Sequence, residues 1–382
     1  ADGSSDVGNR EAGILLNGAG MAGATASSPL RILGNVISGN GNAFNNGYGI
    51  RLLGPAATAA VIAGNFVGTN KSGSMAIGNS FVGISLEAGA RNVVIGGSTA
   101  ADRNIISGNG TLINQGSGIL IEGQSTSGNR VLGNLIGTSP TGMAVANNVV
   151  GGRIENAPGN TVGGPNQADG NIISGNTFVG VMIFGVNATG NVIASNVIGL
   201  NINGTAALGN GFDGVYIQDA GGNTVTGNVI SGNLNTGLQI FNSVGQAGIA
   251  SGNVIQSNKI GTDPTGTRAI GNRRAGIFIN NASGNLIGGQ LGVTGNLISG
   301  NGTSGIQFNG VGATNNQILG NVIGLQVNAS TNLPNGGYGV AVGAGSRNNL
   351  IRAGQGEDRN VIGRNGLGPI RNVNLAAPTP NQ

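Results

Sequence analysis

Four copies of one short phrase constrain this chain more than anything else in it. They are Asn35-Val36-Ile37-Ser38-Gly39-Asn40, Asn104-Ile105-Ile106-Ser107-Gly108-Asn109, Asn171-Ile172-Ile173-Ser174-Gly175-Asn176 and Asn296-Leu297-Ile298-Ser299-Gly300-Asn301. A second phrase, Gly-apolar-x-apolar, begins at Gly13, Gly49, Gly83, Gly118, Gly180, Gly214, Gly237, Gly276, Gly305 and Gly339, with a degenerate copy at Gly151. A unit of roughly 30 residues cannot bury an apolar face alone and must stack on copies of itself, which makes the chain a solenoid.

The apolar residues alternate with period two and show no helical period, so each unit reads as three short parallel strands. About eleven such turns, spaced ~4.8 Å apart, give a rod of roughly 50–55 Å. Two kinds of turn alternate. One carries Asn65-Phe66-Val67-Gly68-Thr69, Asn134-Leu135-Ile136-Gly137-Thr138 or Asn258-Lys259-Ile260-Gly261-Thr262 and then a loop such as Asp263-Pro264-Thr265-Gly266-Thr267. The other carries Ile95-Gly96-Gly97, Val162-Gly163-Gly164 or Ile287-Gly288-Gly289. Gly after the strand and Asn at the bend are expected to take left-handed backbone. Asn residues of successive turns are expected to stack as amide ladders inside the rod.

Composition agrees. Only 8% of residues are charged, against about 25% in an ordinary soluble domain, so Asn, Ser, Thr and Gly must supply the polar surface. With 38% hydrophobic residues in short β-branched clusters, the chain buries a core and is not disordered. No apolar run approaches the ~20 residues of a membrane-spanning helix, so membrane insertion is not expected. The net charge of +4 over 382 residues is close to neutral. No basic stripe is present, and nucleic acid is excluded as a partner.

The phrase Asn258-Lys259-Ile260-Gly261-Thr262-Asp263-Pro264-Thr265-Gly266 through Gly271-Asn272, with the Ile-Ser-Gly-Asn strands, resembles the right-handed parallel β-helix superfamily. More narrowly it is similar to the β-helix repeat segments of large bacterial secreted and cell-surface proteins, with pectate-lyase-like architecture. The resemblance implies an all-β, right-handed parallel β-helix and a secreted or cell-surface location. It implies no single activity, because that architecture serves lyases, glycoside hydrolases, epimerases, adhesins and stalks. The expected organisation is a lead-in over 1–12, a β-helix over 13–365 and a tail or linker over 366–382, including Leu375-Ala376-Ala377-Pro378-Thr379-Pro380-Asn381-Gln382. Neither end reads as a cap, so end-to-end or lateral self-association is expected, or continuation into a longer chain.

Much chemistry is excluded by residue type. Without His or Cys there is no Ser-His-Asp or Cys-His catalysis, no disulfide and no ordinary zinc site. Neither Lys71 nor Lys259 follows a Gly, so there is no phosphate-binding Walker loop. No cofactor or metal is expected.

What remains lies on the outward side of the Gly-apolar-x-apolar strand, where the third and fifth residues face water. The outer column there contains Glu87, Glu122 and Glu155 in three consecutive turns, with Arg153 two residues before Glu155 on the same face. Adjacent carboxylates about 5 Å apart match the spacing of a retaining glycosidase, and their repulsion raises one pKa. The other reading is a solvated charged ladder that blunts edge-to-edge aggregation. In pectate-lyase-like relatives the corresponding face holds the substrate groove, but their calcium-binding Asp clusters have no counterpart here. Met182, Phe184, Tyr216, Phe241 and Phe278 follow on the same face. They form either a platform for sugar rings or a protein partner, or a satellite core beneath folded-over loops.

The reading is a non-catalytic extracellular structural or adhesive rod, in which Met182, Phe184, Tyr216, Phe241 and Phe278 bind a polysaccharide or cell-surface polymer. The alternative is a polysaccharide-active lyase, hydrolase or epimerase using Glu87, Glu122 or Glu155 with Arg153.

Overall fold

The period-two apolar pairs become strands two to six residues long, and every strand pairs in parallel with its counterpart one turn away. The computed structural model describes residues 8–372 except 19–24, 26–27, 43–45, 111–115, 148, 244 and 246–247. Among the described residues the strands form three parallel sheets of twelve, eleven and eleven strands, each ordered by successive turns. The architecture is the expected right-handed parallel β-helix of about eleven turns.

Inward residues stack in columns. Ile50, Ile84 and Ile119 align in the first sheet, as do Leu52, Leu86, Ile121 and Ile154. Ile62, Ile95 and Val131 form the column of the second sheet, and Val67, Ile106 and Ile136 that of the third. All belong to one continuous core. The degenerate repeat leaves a gap in it. Gly152 takes the inward place between Ile119 and Val181. A small void of about 10 Å³ beside it is lined by Ile119, Ile121, Val131 and Ile136.

The bends are held by three asparagine ladders. One runs Asn9, Asn40, Asn79, Asn109, Asn147, Asn176, Asn210, Asn233, Asn272, Asn301, Asn335 and Asn365. A second runs from Asn35 through Asn104, Asn134 and Asn171 to Asn360. The third joins Asn129 to Asn349 through Asn160, Asn191 and Asn223. These amides satisfy buried backbone groups that the bends would otherwise orphan.

Left-handed Asn is found at bends at Asn92, Asn156, Asn281, Asn315 and Asn348, as expected, but the ladder asparagines differ. In the second and third ladders the left-handed residue is often the one before the Asn: Gly64, Gly133, Ser195, Ser257, Gly128 and Gly159. The ladder Asn itself keeps negative φ because its amide must point along the rod.

Glycine opens the strands of the first sheet for the same reason. A Cβ on Gly118 would sit 2.8 Å from Nδ2 of Asn147. Gly137, at φ +84°, combines left-handed backbone with close approach to Oδ1 of Asn176.

The expected alternation of turns appears as loops closed by short antiparallel bridges at Thr69–Ala76, Thr138–Ala144, Leu200–Ala207 and Thr262–Ala269. The first residue of such a loop caps it. Asp263 Oδ1 accepts the N–H groups of Thr267 and Arg268, and Asn201 Oδ1 those of Thr205 and Ala206.

At the far end, the strand Gly368–Asn372 pairs with Tyr338–Val342, so the coil extends past the expected boundary at 365. Pro369 stands there where other turns have Gly, which hid the repeat. The linker reading of Leu375–Gln382 lies outside the described residues. No described helix is long and apolar enough to cross a membrane.

Candidate functional site

The first sheet presents its outward side chains in columns that the strand register fixes. Arg51 lies beside Ser85, Ser85 beside Leu120, Leu120 beside Arg153, Arg153 beside Met182 and Met182 beside Tyr216. The second column places Glu122 beside Glu155, Glu155 beside Phe184, Phe184 beside Gln218 and Gln218 beside Phe241. Register pairs Leu86 with Ile121, which carries Glu87 to the level next to Glu122. All the residues expected on one face therefore share it.

The three carboxylates are not equivalent. Glu87 is held by Nη2 and Nε of Arg51, at 2.8 and 3.1 Å, and accepts from Ser85 Oγ at 2.6 Å. Arg51 also lies over the ring of Tyr48, which packs edge-on against Phe81. Glu155 pairs with Arg153 at 2.7 Å, and that guanidinium lies 5.8 Å from the Phe184 ring centre. Glu122 stands exposed between the two pairs and makes no hydrogen bond or ion pair among the described residues. Partial desolvation against the sheet, then the like charges of Glu155 and Glu87, hold its carboxyl above the usual range, while Arg153 and Arg51 oppose the shift.

The aromatic residues are half-buried, neither covered nor fully in water. Tyr216 and Phe241 stack at 6.3 Å between ring centres. Register separates Phe184 from Phe241 by Gln218, and Tyr216 from Phe278 by Gln239. Amide side chains thus lie between successive rings.

Two features lay outside the sequence reading. A backbone ladder runs along the lip of the sheet, from Phe178 to Phe212, Asn235, Arg274 and Thr303. On it Phe178 and Phe212 stack at 4.8 Å. The second feature is Asp213, the residue preceding a strand glycine. It is fully buried, and its Oδ1 accepts from Asn235 Nδ2 at 2.8 Å and from the Thr236 N–H at 2.9 Å. Its Oδ2 is buried with no hydrogen-bond partner among the described residues. Burial pushes this carboxyl up to about 7, against the opposing pull of the two hydrogen bonds and of Arg274. Burial, then the charges of Asp213 and Asp219, raise the Tyr216 phenol as well. The sequence signal was available as an Asp where other repeats carry Val, Ser, Thr, Ala or Tyr. Only the packing around it shows that it is dry.

No group of three or more Asp, Glu, His or Cys among the described residues is placed to hold a metal ion.

Residues 102–268 match the family model described as periplasmic copper-binding protein (NosD). The donors here do not fit copper. The chain has no His or Cys, and of its methionines Met182 lies on the strand face while Met75 and Met143 sit on exposed loops. No curated protein matches the chain. Among solved structures, the A-module of mannuronan C-5 epimerase AlgE4 of Azotobacter vinelandii is 16% identical over 93% of this chain and 92% of that one, with a TM-score of 0.43. The periplasmic alginate epimerase AlgG is 14% identical, with a TM-score of 0.42 over 86% of this chain. The match spans 66% of that chain, just under two thirds of its length. The Dettilon tailspike protein is 15% identical over 96% of this chain and 61% of that one, with a TM-score of 0.47. At these identities the likeness is one of fold.

Proposed function

We propose that this chain is a non-catalytic, exported β-helix rod that holds a surface polysaccharide along the outward face of its first sheet. One observation carries the reading: half-buried rings and amide side chains alternate along that face from turn to turn. Phe184, Tyr216, Phe241 and Phe278 offer flat apolar surfaces, with Gln218 between Phe184 and Phe241, Gln239 between Tyr216 and Phe278, and Asn280 next beyond Phe241. Sugar rings present apolar faces to stack and hydroxyls to hydrogen-bond, so such a surface is complementary to them.

The charges on this face favour holding over cleavage. Glu87 and Glu155 are committed to ion pairs with Arg51 and Arg153. A hydrolase would need a second, uncommitted carboxylate beside Glu122.

Retention on insoluble polysaccharides tests the proposal. The parent chain should be retained, and Phe184→Ala combined with Phe241→Ala should release it without loss of folding. Depolymerisation or epimerisation of a polysaccharide that Glu122→Gln abolishes would overturn the non-catalytic reading in favour of an enzyme. The same rod is proposed to associate end to end or laterally, which sedimentation of the purified chain would detect.

A further inference from the structure

Beside the strands Val215–Gln218, Leu238–Phe241, Ile277–Asn280 and Ile306–Asn309, the lip ladder walls a recess of about 560 Å³. That volume lies within the usual range of small-ligand sites, roughly 300–1,000 Å³. Phe212 and Arg274 stand on its rim, and Asn235, Gln239, Phe278 and Gln307 also line it. The lip ladder fixes the backbone of Arg274, whose N–H donates to the Asn235 carbonyl. Its side chain is exposed and makes no hydrogen bond or ion pair among the described residues. The side-chain amides of Gln239 and Gln307 likewise make no hydrogen bond among the described residues. A cation, free amides and an aromatic ring therefore converge on one unfilled space.

Asp213 lies behind this wall, hydrogen-bonded to Asn235 and Thr236, both of which line the recess. We propose that the recess binds a carboxylate-bearing ring of sugar size, its anion on Arg274 and its apolar face on Phe278, and that Asp213 takes up a proton as the ligand enters. The proposal rests on the strand-face reading and names the chemistry of the ligand. An ionised Asp213 would offset Arg274 and repel the ligand's carboxylate, so anion entry and protonation favour each other. The groups facing Asp213 are few. Its own turn contributes the Tyr216 phenol, with Asp219 beyond it. The next turn contributes neutral Asn235 and Thr236, and Arg274 follows one turn further. Phe178 and Val179 of the preceding turn carry no charge. Titration near pH 7 makes the linkage measurable under mild conditions.

Titration calorimetry of the purified chain with an oligoglucuronate and a neutral glucose oligomer of equal length tests this at pH 6 and pH 8. The acidic oligomer should bind at least about fivefold more tightly at pH 6, the low end of ordinary coupling between sites. Heats in buffers of different ionisation enthalpy should show proton uptake at pH 7. Asp213→Asn should bind with its pH 6 affinity at both values, and Arg274→Gln should lose about tenfold or more. Equal binding of both oligomers, unchanged by Arg274→Gln, would overturn this inference and leave the strand-face reading standing. Binding of the acidic oligomer without pH dependence would overturn the role of Asp213. Failure of both oligomers to bind while an insoluble polysaccharide is still retained would remove the recess alone. If nothing is retained, the strand-face reading falls with it.

Discussion

Asn134 donates both its backbone N–H and its side-chain Nδ2 to Oδ1 of Asn171, one turn along the rod, at 2.9 and 3.0 Å. Nδ2 of Asn134 also reaches the carbonyl of Ile95, and Oδ1 of Asn134 receives the same pair of bonds from Asn104. One side chain thus joins three turns at a point where no water enters.

Asn134→Ala should therefore destabilise the rod by about 2–4 kcal/mol, since it leaves several buried donors and acceptors unsatisfied at once. Asn134→Asp should cost more, because the carboxylate cannot donate to Asn171 and would be buried charged. Urea denaturation monitored by circular dichroism measures both. A change below about 0.5 kcal/mol for Asn134→Ala would show that the ladders are incidental to stability.

Gly152→Ala should stabilise the chain by about 1 kcal/mol. Its backbone is not left-handed, a Cβ there meets nothing within 4 Å, and the void beside it is apolar. By contrast, Gly118→Ala drives a methyl against Asn147 and should destabilise. The opposite signs at two glycines of neighbouring turns are the measurable result.

Asp213 should make stability fall as pH rises. Its folded pKa of about 7 lies above its ordinary value of 3.8. Below about pH 4 the carboxyl is protonated in both states and adds no penalty. Between about 4 and 7 the unfolded chain releases its proton first, so stability is lost across that window and the loss is complete above 7. The full effect is on the order of 4 kcal/mol at most. Asp213→Asn should stabilise the chain at pH 8 and give no gain at pH 4, as read from paired denaturation curves. A gain that does not change with pH would mean that the carboxyl titrates normally.

Glu122→Gln should leave polysaccharide retention within about twofold of the parent chain, because its carboxyl is not needed to hold a neutral or acidic sugar. Arg153→Ala, in contrast, strips the partner from Glu155 and the cation from the ring of Phe184. It should weaken retention by several-fold, consistent with loss of ~1 kcal/mol from those two contacts. Equal effects of the two substitutions would argue against a binding face centred on the rings.

The amino-acid sequence by itself determined the coil, the number of turns and the composition of the outward columns. Each followed from period: an alternation of two assigns every strand residue a side, and a repeat of about 30 residues aligns equal positions vertically. Glu87, Glu122, Glu155 and the five apolar candidates could therefore be placed on one face by counting alone. Pro369 defeated the counting at the last strand because the repeat there lacks its marker glycine.

Only the tertiary structure decided how those residues differ from one another. Three glutamates at equivalent positions became two ion pairs and one uncommitted carboxyl, because Arg51 and Arg153 reach two of them and no cation among the described residues pairs with the third. Asp213 looked like any loop aspartate until the next turn closed over it, since desolvation belongs to the surroundings of a group and not to its place in a repeat. Periodicity specifies direction, which is local; pairing, burial and the recess beside Arg274 depend on side-chain reach across turns, which no repeat pattern encodes.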